Sequence, residues 1–194
     1  TVRDCLAGFP LGERPDWDVS SPADENELLR CAERCGWSVR SVFRNTGAVK
    51  LEKDGVQCEF TRFRSDKYVR GVHAPSEIEF TDDIRIDARR RDFTANAVYY
   101  EIKADALCDP LGGAEDIRKK IMRTVVPARK VFGEDGLRLM RLARLCAQTG
   151  FMPDPEAYAG AREHAALIED IAPERIFTEL SLLLSSDLKH GDPE

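Results

Sequence analysis

Asp54-Gly55 stands between two alternating runs, Ala48 to Leu51 and Val56 to Phe63. An Asp-Gly pair supplies the left-handed backbone that a tight hairpin needs, so these runs are expected to pair as antiparallel strands. Successive side chains of a strand leave opposite faces. In the return strand Val56, Cys58 and Phe60 then share one face, and Gln57, Glu59, Thr61 and Phe63 share the other. Val39 to Phe43 reads as a further strand. Upstream, Leu28, Leu29, Cys31, Ala32 and Cys35 form one stripe at helical spacing, ended by Gly36. That helix is expected to start at Ser20 or Ser21, and it packs without carrying chemistry.

Asp16-Trp17-Asp18-Val19 alternates with period two, like a short strand. Residues i and i+2 leave the same face about 7 Å apart, so both carboxylates point one way. Converging carboxylates repel unless a cation lies between them, and hard divalent ions take carboxylate and phosphate oxygens. Two such ions can clamp the attacking and leaving oxygens of a phosphoryl transfer. Taken alone, Asp-x-Asp is weak evidence, and a solvated turn before a helix is the plainer reading of it. Glu59, on the polar face of a strand that can lie beside Asp16 and Asp18, is a third candidate carboxylate. An exposed cross-strand glutamate is the plainer reading of that residue.

Arg89-Arg90-Arg91-Asp92 runs straight into the apolar Phe93, Ala95, Ala97, Val98 and Tyr99. Arginines held against a core are placed to line a groove, and their planar forks suit phosphate. Ser65 to Pro75 is polar and suits a mobile loop, with His73 as a loop residue rather than a ligand. Asp116 to Lys120 reads as a short helix and Ile121 to Val126 as a strand. Pro127 marks a boundary, after which the pattern turns helical. Glu134 to Gly150 is expected as one long amphipathic helix carrying Asp135, Arg138 and Arg141 at i, i+3 and i+6. Asp135 accepts and Arg138 donates, so together they can match the edge of a base. An intrahelical ion pair is the alternative. Pro155 and Pro173 each open a further helix.

The 194 residues allow one or two domains, and 42% hydrophobic with 33% charged residues is ordinary for a globular chain. No apolar run reaches the roughly 20 residues of a membrane span, and no signal peptide is recognised. The net charge of −6 argues against a general nucleic-acid coat but leaves room for one local basic groove. The six cysteines lack the paired spacing of a zinc site and are expected as buried thiols in a reducing cytosol.

Six stretches occur in order: Val2-Arg3-Asp4, Asp16-Trp17-Asp18, Glu59-Phe60-Thr61-Arg62-Phe63-Arg64, Arg90-Arg91-Asp92-Phe93-Thr94-x-Asn96-Ala97, Asp109-Pro110-x-Gly112-Gly113 and Glu134-Asp135-x-x-Arg138-x-x-Arg141. As a set they resemble the class II tRNA nucleotidyltransferases, which comprise the CCA-adding enzymes and the bacterial poly(A) polymerases. The resemblance implies an α+β nucleotidyltransferase-type head over residues 1–126, with a small twisted mixed or antiparallel sheet and flanking helices. An α-helical neck would follow over residues 127–194.

The same resemblance implies catalytic roles for Asp16, Asp18 and Glu59, with Asp16 and Asp18 holding Mg²⁺. It implies that Arg3, Arg91 and Asp92 contact the incoming nucleotide near its phosphates and ribose. Asp135 and Arg138 would act as a protein template for CTP or ATP, with Arg141 and Arg144 as further nucleotide-binding arginines. Residues 65–75 would be the loop that switches the site from C to A. The implied activity is cytoplasmic CCA addition to the tRNA 3′ end. A poly(A) or A-adding enzyme with the same head is the nearest alternative, and a silent RNA-binding protein a remote one. The family's Gly-Gly ahead of Val-Arg-Asp is missing at the head's N-terminal edge. Little of its tRNA-holding tail is expected, so a truncated chain is anticipated.

Overall fold

The computed structural model describes residues 2–10, 17–69 and 72–186. It opens on a short helix, α1 (Val2–Leu6), followed by β1 (Trp17–Ser21) and α2 (Glu25–Arg34). Strands β2 (Ser38–Phe43), β3 (Ala48–Lys53) and β4 (Val56–Arg62) complete a four-stranded sheet in the order β1-β4-β3-β2. β1 runs parallel to β4, and the other two pairings are antiparallel. Asp54 and Gly55 both adopt positive φ, 51° and 79°, at the β3–β4 turn. Two consecutive left-handed residues twist the turn to match its strands.

One face of the sheet is apolar. Val49, Leu51 and Phe60 are buried against Ala32, Leu28 and Leu29 of α2. The helix begins later than expected. Asp24, not Ser20 or Ser21, accepts from the Glu27 amide at 2.8 Å, and Glu27 returns a bond to the Asp24 amide at 3.1 Å. Such a reciprocal cap contributes about 1 kcal/mol. Cys31 and Cys35 lie outside the packed stripe and are exposed. None of the six free cysteines is buried: Cys5 is also exposed, and Cys58, Cys108 and Cys146 are half-buried.

Residues 65–75 also depart from the expected loop. Arg64–Lys67 form β5, paired with β6 (Glu77–Phe80), and Lys67 bridges Glu77 and Glu79 across the hairpin. Residues 70 and 71 fall outside the described residues. The chain then runs through α3 (Ile84–Arg89), the hairpin β7 (Tyr99–Glu101) and β8 (Ala106–Cys108), α4 (Gly113–Arg118) and β9 (Ile121–Met122). The strand expected to Val126 is shorter, and Phe93 bridges Thr124 beyond it.

Helices α5 (Ala128–Glu134) and α6 (Leu137–Thr149) replace the single long helix. Asp135 breaks it with an extended backbone, φ −147° and ψ 107°. Strand β10 (Met152–Pro153) pairs with β9, and α7 (Pro155–Glu163) and α8 (Pro173–Leu184) follow, each opened by its proline. The larger core holds Phe93, Val98, Ile117 and Met122 together with Val131, Phe132, Leu142 and Leu145. Apolar packing is therefore continuous across Pro127. The α+β expectation stands.

Candidate functional site

The open face of the main sheet is polar. Register pairs Asp18 with Glu59 across the parallel β1–β4 ladder, and Glu59 with Lys50 across β3–β4. Register partners project from the same face, so the two carboxylates are direct neighbours. Both residues are exposed, and Lys50 Nζ lies 3.3 Å from Glu59 Oε2. Burial pushes the nearby Cys58 thiol up, and the charges of Asp18 and Glu59 add to the effect. Asp16 lies outside the described residues. Among the described residues no group of three His, Cys, Asp or Glu is close enough to hold a metal ion.

The arginine run is anchored rather than solvated. Asp87 is fully buried and accepts from Arg90 Nε at 2.8 Å, Arg91 Nη2 at 3.3 Å and the Tyr99 hydroxyl at 2.9 Å. The Arg91 guanidinium also stacks 4.8 Å from the Tyr99 ring centroid. Burial drives the Tyr99 phenol well above its usual range. Arg89 alone of the three arginines is exposed.

A second chain of charges links the N-terminal helix to α6 and α8. Arg3 Nη1 donates to Asn96 Oδ1 at 2.8 Å, and Asn96 Nδ2 donates to Asp92 Oδ1 at 3.0 Å. Arg141 donates to Asp92 Oδ2, and its Nη1 lies 3.6 Å from Glu179 Oε1. Glu179 Oε2 accepts from Arg144 Nε at 2.6 Å. Asp92 is buried, and burial alone raises its carboxyl. The Arg141 charge and bonds from Asn96, Arg141 and the Phe93 amide overcome that and bring it to about 2. Arg3, Asp92, Arg141 and Arg144, distant in sequence, thus belong to one connected network.

The side chains of Asp135 and Arg138 do not pair with each other, although the Arg138 amide donates to the Asp135 carbonyl at 3.0 Å, and Asp135 is not on the helix that carries Arg138. Asp135 Oδ1 caps α6 by accepting from the Leu137 amide at 3.0 Å, and Oδ2 accepts from Arg175 Nη2 at 2.8 Å. Arg138 is buried. Its Nη1 donates to Glu134 and the Val131 carbonyl, and its Nη2 to the Tyr68 hydroxyl and the Arg90 carbonyl. Its carboxylate partner is Glu134, the last residue of α5, reached across the break between the helices.

Sequence reading passed over Asp87, Glu179 and Arg175, each of which orients a candidate residue. Glu179 is a carboxylate among Ile176, Leu182 and Leu183 at helical spacing, and that mismatch is the signal available without coordinates, whereas Asp87 stands in the mixed stretch Ile84–Arg89 and has none. Arg175, in the first turn of a proline-started helix, has no comparable mark.

A family model described as the poly A polymerase head domain matches residues 1–123. This chain belongs to that family. A second model, described as the probable RNA and SrmB-binding site of polymerase A, matches residues 150–188. Within the family, the chain is 34% identical over 184 residues to the CCA-adding enzyme of Streptococcus mutans, covering 95% of this chain and 44% of that protein. It is 33% identical over 183 residues to the CCA-adding enzyme of Geobacillus stearothermophilus, covering 94% and 43%. The chain therefore spans less than half the length of these curated relatives. The crystal structure of the Bacillus stearothermophilus CCA-adding enzyme in complex with CTP superimposes with a TM-score of 0.82 at 32% identity, covering 95% of this chain and 42% of that one. A tRNA nucleotidyltransferase complexed with a primer tRNA and an incoming ATP analog shares the fold, with a TM-score of 0.71 at 24% identity over 97% and 55% of the chains.

Proposed function

We infer that the chain carries the head, residues 1–126, and the neck, residues 127–194, of a CCA-adding tRNA nucleotidyltransferase. It joins C and A residues from CTP and ATP to the 3′ end of tRNA without a nucleic-acid template, in the cytoplasm. The observation that carries this reading is the Asp18–Glu59 register on the open face of the sheet. Family relatives named CCA-adding enzymes support it over 94–95% of the chain. Among the described residues no helix is long and apolar enough to cross a membrane.

Neighbouring exposed carboxylates are the donor type a hard cation takes, so Asp18 and Glu59 fit Mg²⁺, and the resemblance assigns Asp16 to the same ion. An ion held there would supply Lewis acidity for the attacking 3′-hydroxyl and the triphosphate. The protein's own part is orientation. Arg91, braced by Asp87 and Tyr99, keeps a fixed fork for the phosphates, and its Nη1 donates to the Asn96 carbonyl at 3.1 Å, which joins it to Arg3 through the Asn96 side chain. Asp92 acts by holding Arg141, which in turn is aligned by Glu179 beside Arg144. Preset donors stabilise developing negative charge without reorganising during the reaction.

Asp135 reads the base. Cytosine and adenine present an exocyclic amino donor where uracil and guanine present a carbonyl acceptor. A carboxylate accepts from the first pair and repels the second. In this reading Arg138 donates to the neighbouring ring position through Nε, since its Nη groups already serve Glu134, Val131, Tyr68 and Arg90.

The test is nucleotide addition to tRNA lacking its 3′ end, with single labelled nucleotides and the chain as it stands. CTP incorporated first, then ATP, upholds the reading. ATP tails formed without CTP point instead to a poly(A) polymerase. No incorporation, with no Mg²⁺-dependent nucleotide binding, returns the chain to a non-catalytic RNA-binding role.

A further inference from the structure

Arg175 stands in the first turn of α8, far in sequence from every motif of the site. Its guanidinium is forked between two acceptors. Nη2 donates to Asp135 Oδ2 at 2.8 Å, and Nη1 donates to the His73 carbonyl at 2.7 Å. The His73 ring is buried and returns the contact, with Nδ1 accepting from the Gly136 amide at 3.1 Å. Asp135 and Gly136 form the break between α5 and α6. That break is tied to α8 and to the segment beside His73 through one arginine and one histidine.

The geometry leaves Asp135 little freedom. Oδ1 is taken by the Leu137 amide and Oδ2 by Arg175, which sets both the position and the rotation of the carboxylate plane. Each carboxylate oxygen keeps further acceptor capacity. A base amino group therefore meets an oxygen already aimed. Without the fork, the Leu137 amide bond remains, and the carboxylate can turn about it. The Asp135 side chain is nearly buried while that of Arg175 is 40% exposed, so the pair sits at an accessible edge.

We propose that Arg175 is a specificity-determining positioning residue, aiming the Asp135 carboxylate so that nucleotides with an amino group at pyrimidine C4 or purine C6 are preferred over those with a carbonyl there. This rests on the reading of Asp135 as the base-reading group. Arg175 itself touches no base. Its effect should appear as lost discrimination, because a misaimed acceptor binds the right base less well and rejects the wrong one less strongly.

The test is equilibrium binding of CTP and UTP to the chain, in Mg²⁺, for wild type, Arg175→Ala, Asp135→Ala and the double variant. Arg175→Ala is expected to lower the CTP-over-UTP preference about tenfold, and the double variant to be no less selective than Asp135→Ala. An unchanged preference overturns the proposal. So does an equal weakening for both nucleotides, which is the mark of a merely structural tie. Losses that simply add in the double variant overturn it as well. Should Arg175→Ala fail to fold, Arg175→Lys carries the same test, since an ammonium cannot span both acceptors with one planar fork. A loss of about threefold or more in that variant upholds the proposal, and a smaller one overturns it. Wild type without any CTP preference removes the role of Asp135 and with it both readings. Preference retained without Arg175 removes this proposal alone.

Discussion

Arg141 reaches one carboxylate oxygen of Asp92 twice, through Nε at 2.8 Å and Nη2 at 2.6 Å. The contact joins the segment after the arginine run to α6, with Asp92 buried and the Arg141 side chain 36% exposed. The Asp92 carboxyl stands at about 2 against an ordinary 3.8. A depressed folded value means the unfolded chain binds the proton more tightly. The pair's stabilisation is thus complete above about pH 4 and is lost as pH falls through about 2. The difference corresponds to roughly 2 kcal/mol. Urea unfolding should show wild type losing about 2 kcal/mol more than Asp92→Asn between about pH 5 and pH 2. Equal losses would contradict the assignment.

Asp18 and Glu59 face each other on the open side of the sheet, where neither supports the core. Asp16→Ala and Asp18→Ala are each expected to lower nucleotide incorporation about a hundredfold or more, with unchanged thermal unfolding. Glu59→Gln should cost less, because it removes one charge and keeps an oxygen acceptor. A normal rate from either aspartate variant refutes the metal role.

Glu179 is buried between Arg141 and Arg144. Removing one partner of a buried ionic group leaves the others uncompensated. Glu179→Ala should destabilise the chain by about 3 kcal/mol, whereas Glu179→Gln, which keeps an acceptor for Arg144, should cost less. Denaturant midpoints measure both, and a neutral Glu179→Ala would show that the two arginines find other partners.

A Cβ on Gly113 would overlap the carbonyl oxygen of Thr94 and lie 2.7 Å from Val98 Cγ2. Backbone cannot yield as a flexible side chain can. Gly113→Ala is expected to cost about 3 kcal/mol, measured by thermal unfolding. At Gly133 a Cβ meets nothing within 4 Å, so Gly133→Ala should leave stability unchanged or raise it slightly. Equal effects at the two sites would defeat the packing argument.

Much of this molecule was legible in one dimension. The Asp54-Gly55 turn, the alternation that sends Glu59 to the polar face, and the prolines that open α7 and α8 are local consequences of backbone geometry. The order of six short stretches pointed to the family. Periodicity also put Leu28, Leu29 and Ala32 on one helix face.

Tertiary structure decided the partners. The parallel pairing that sets Asp18 beside Glu59 joins residues 41 positions apart, and nothing local specifies it. The break at Asp135 was invisible to a period that ran through it. Its extended backbone is held by bonds to Leu137 and to Arg175, the latter 40 positions away. Whether an arginine is solvated, braced or forked depends on which acceptor lies within reach in the folded chain, and a linear pattern carries charge and spacing but not reach.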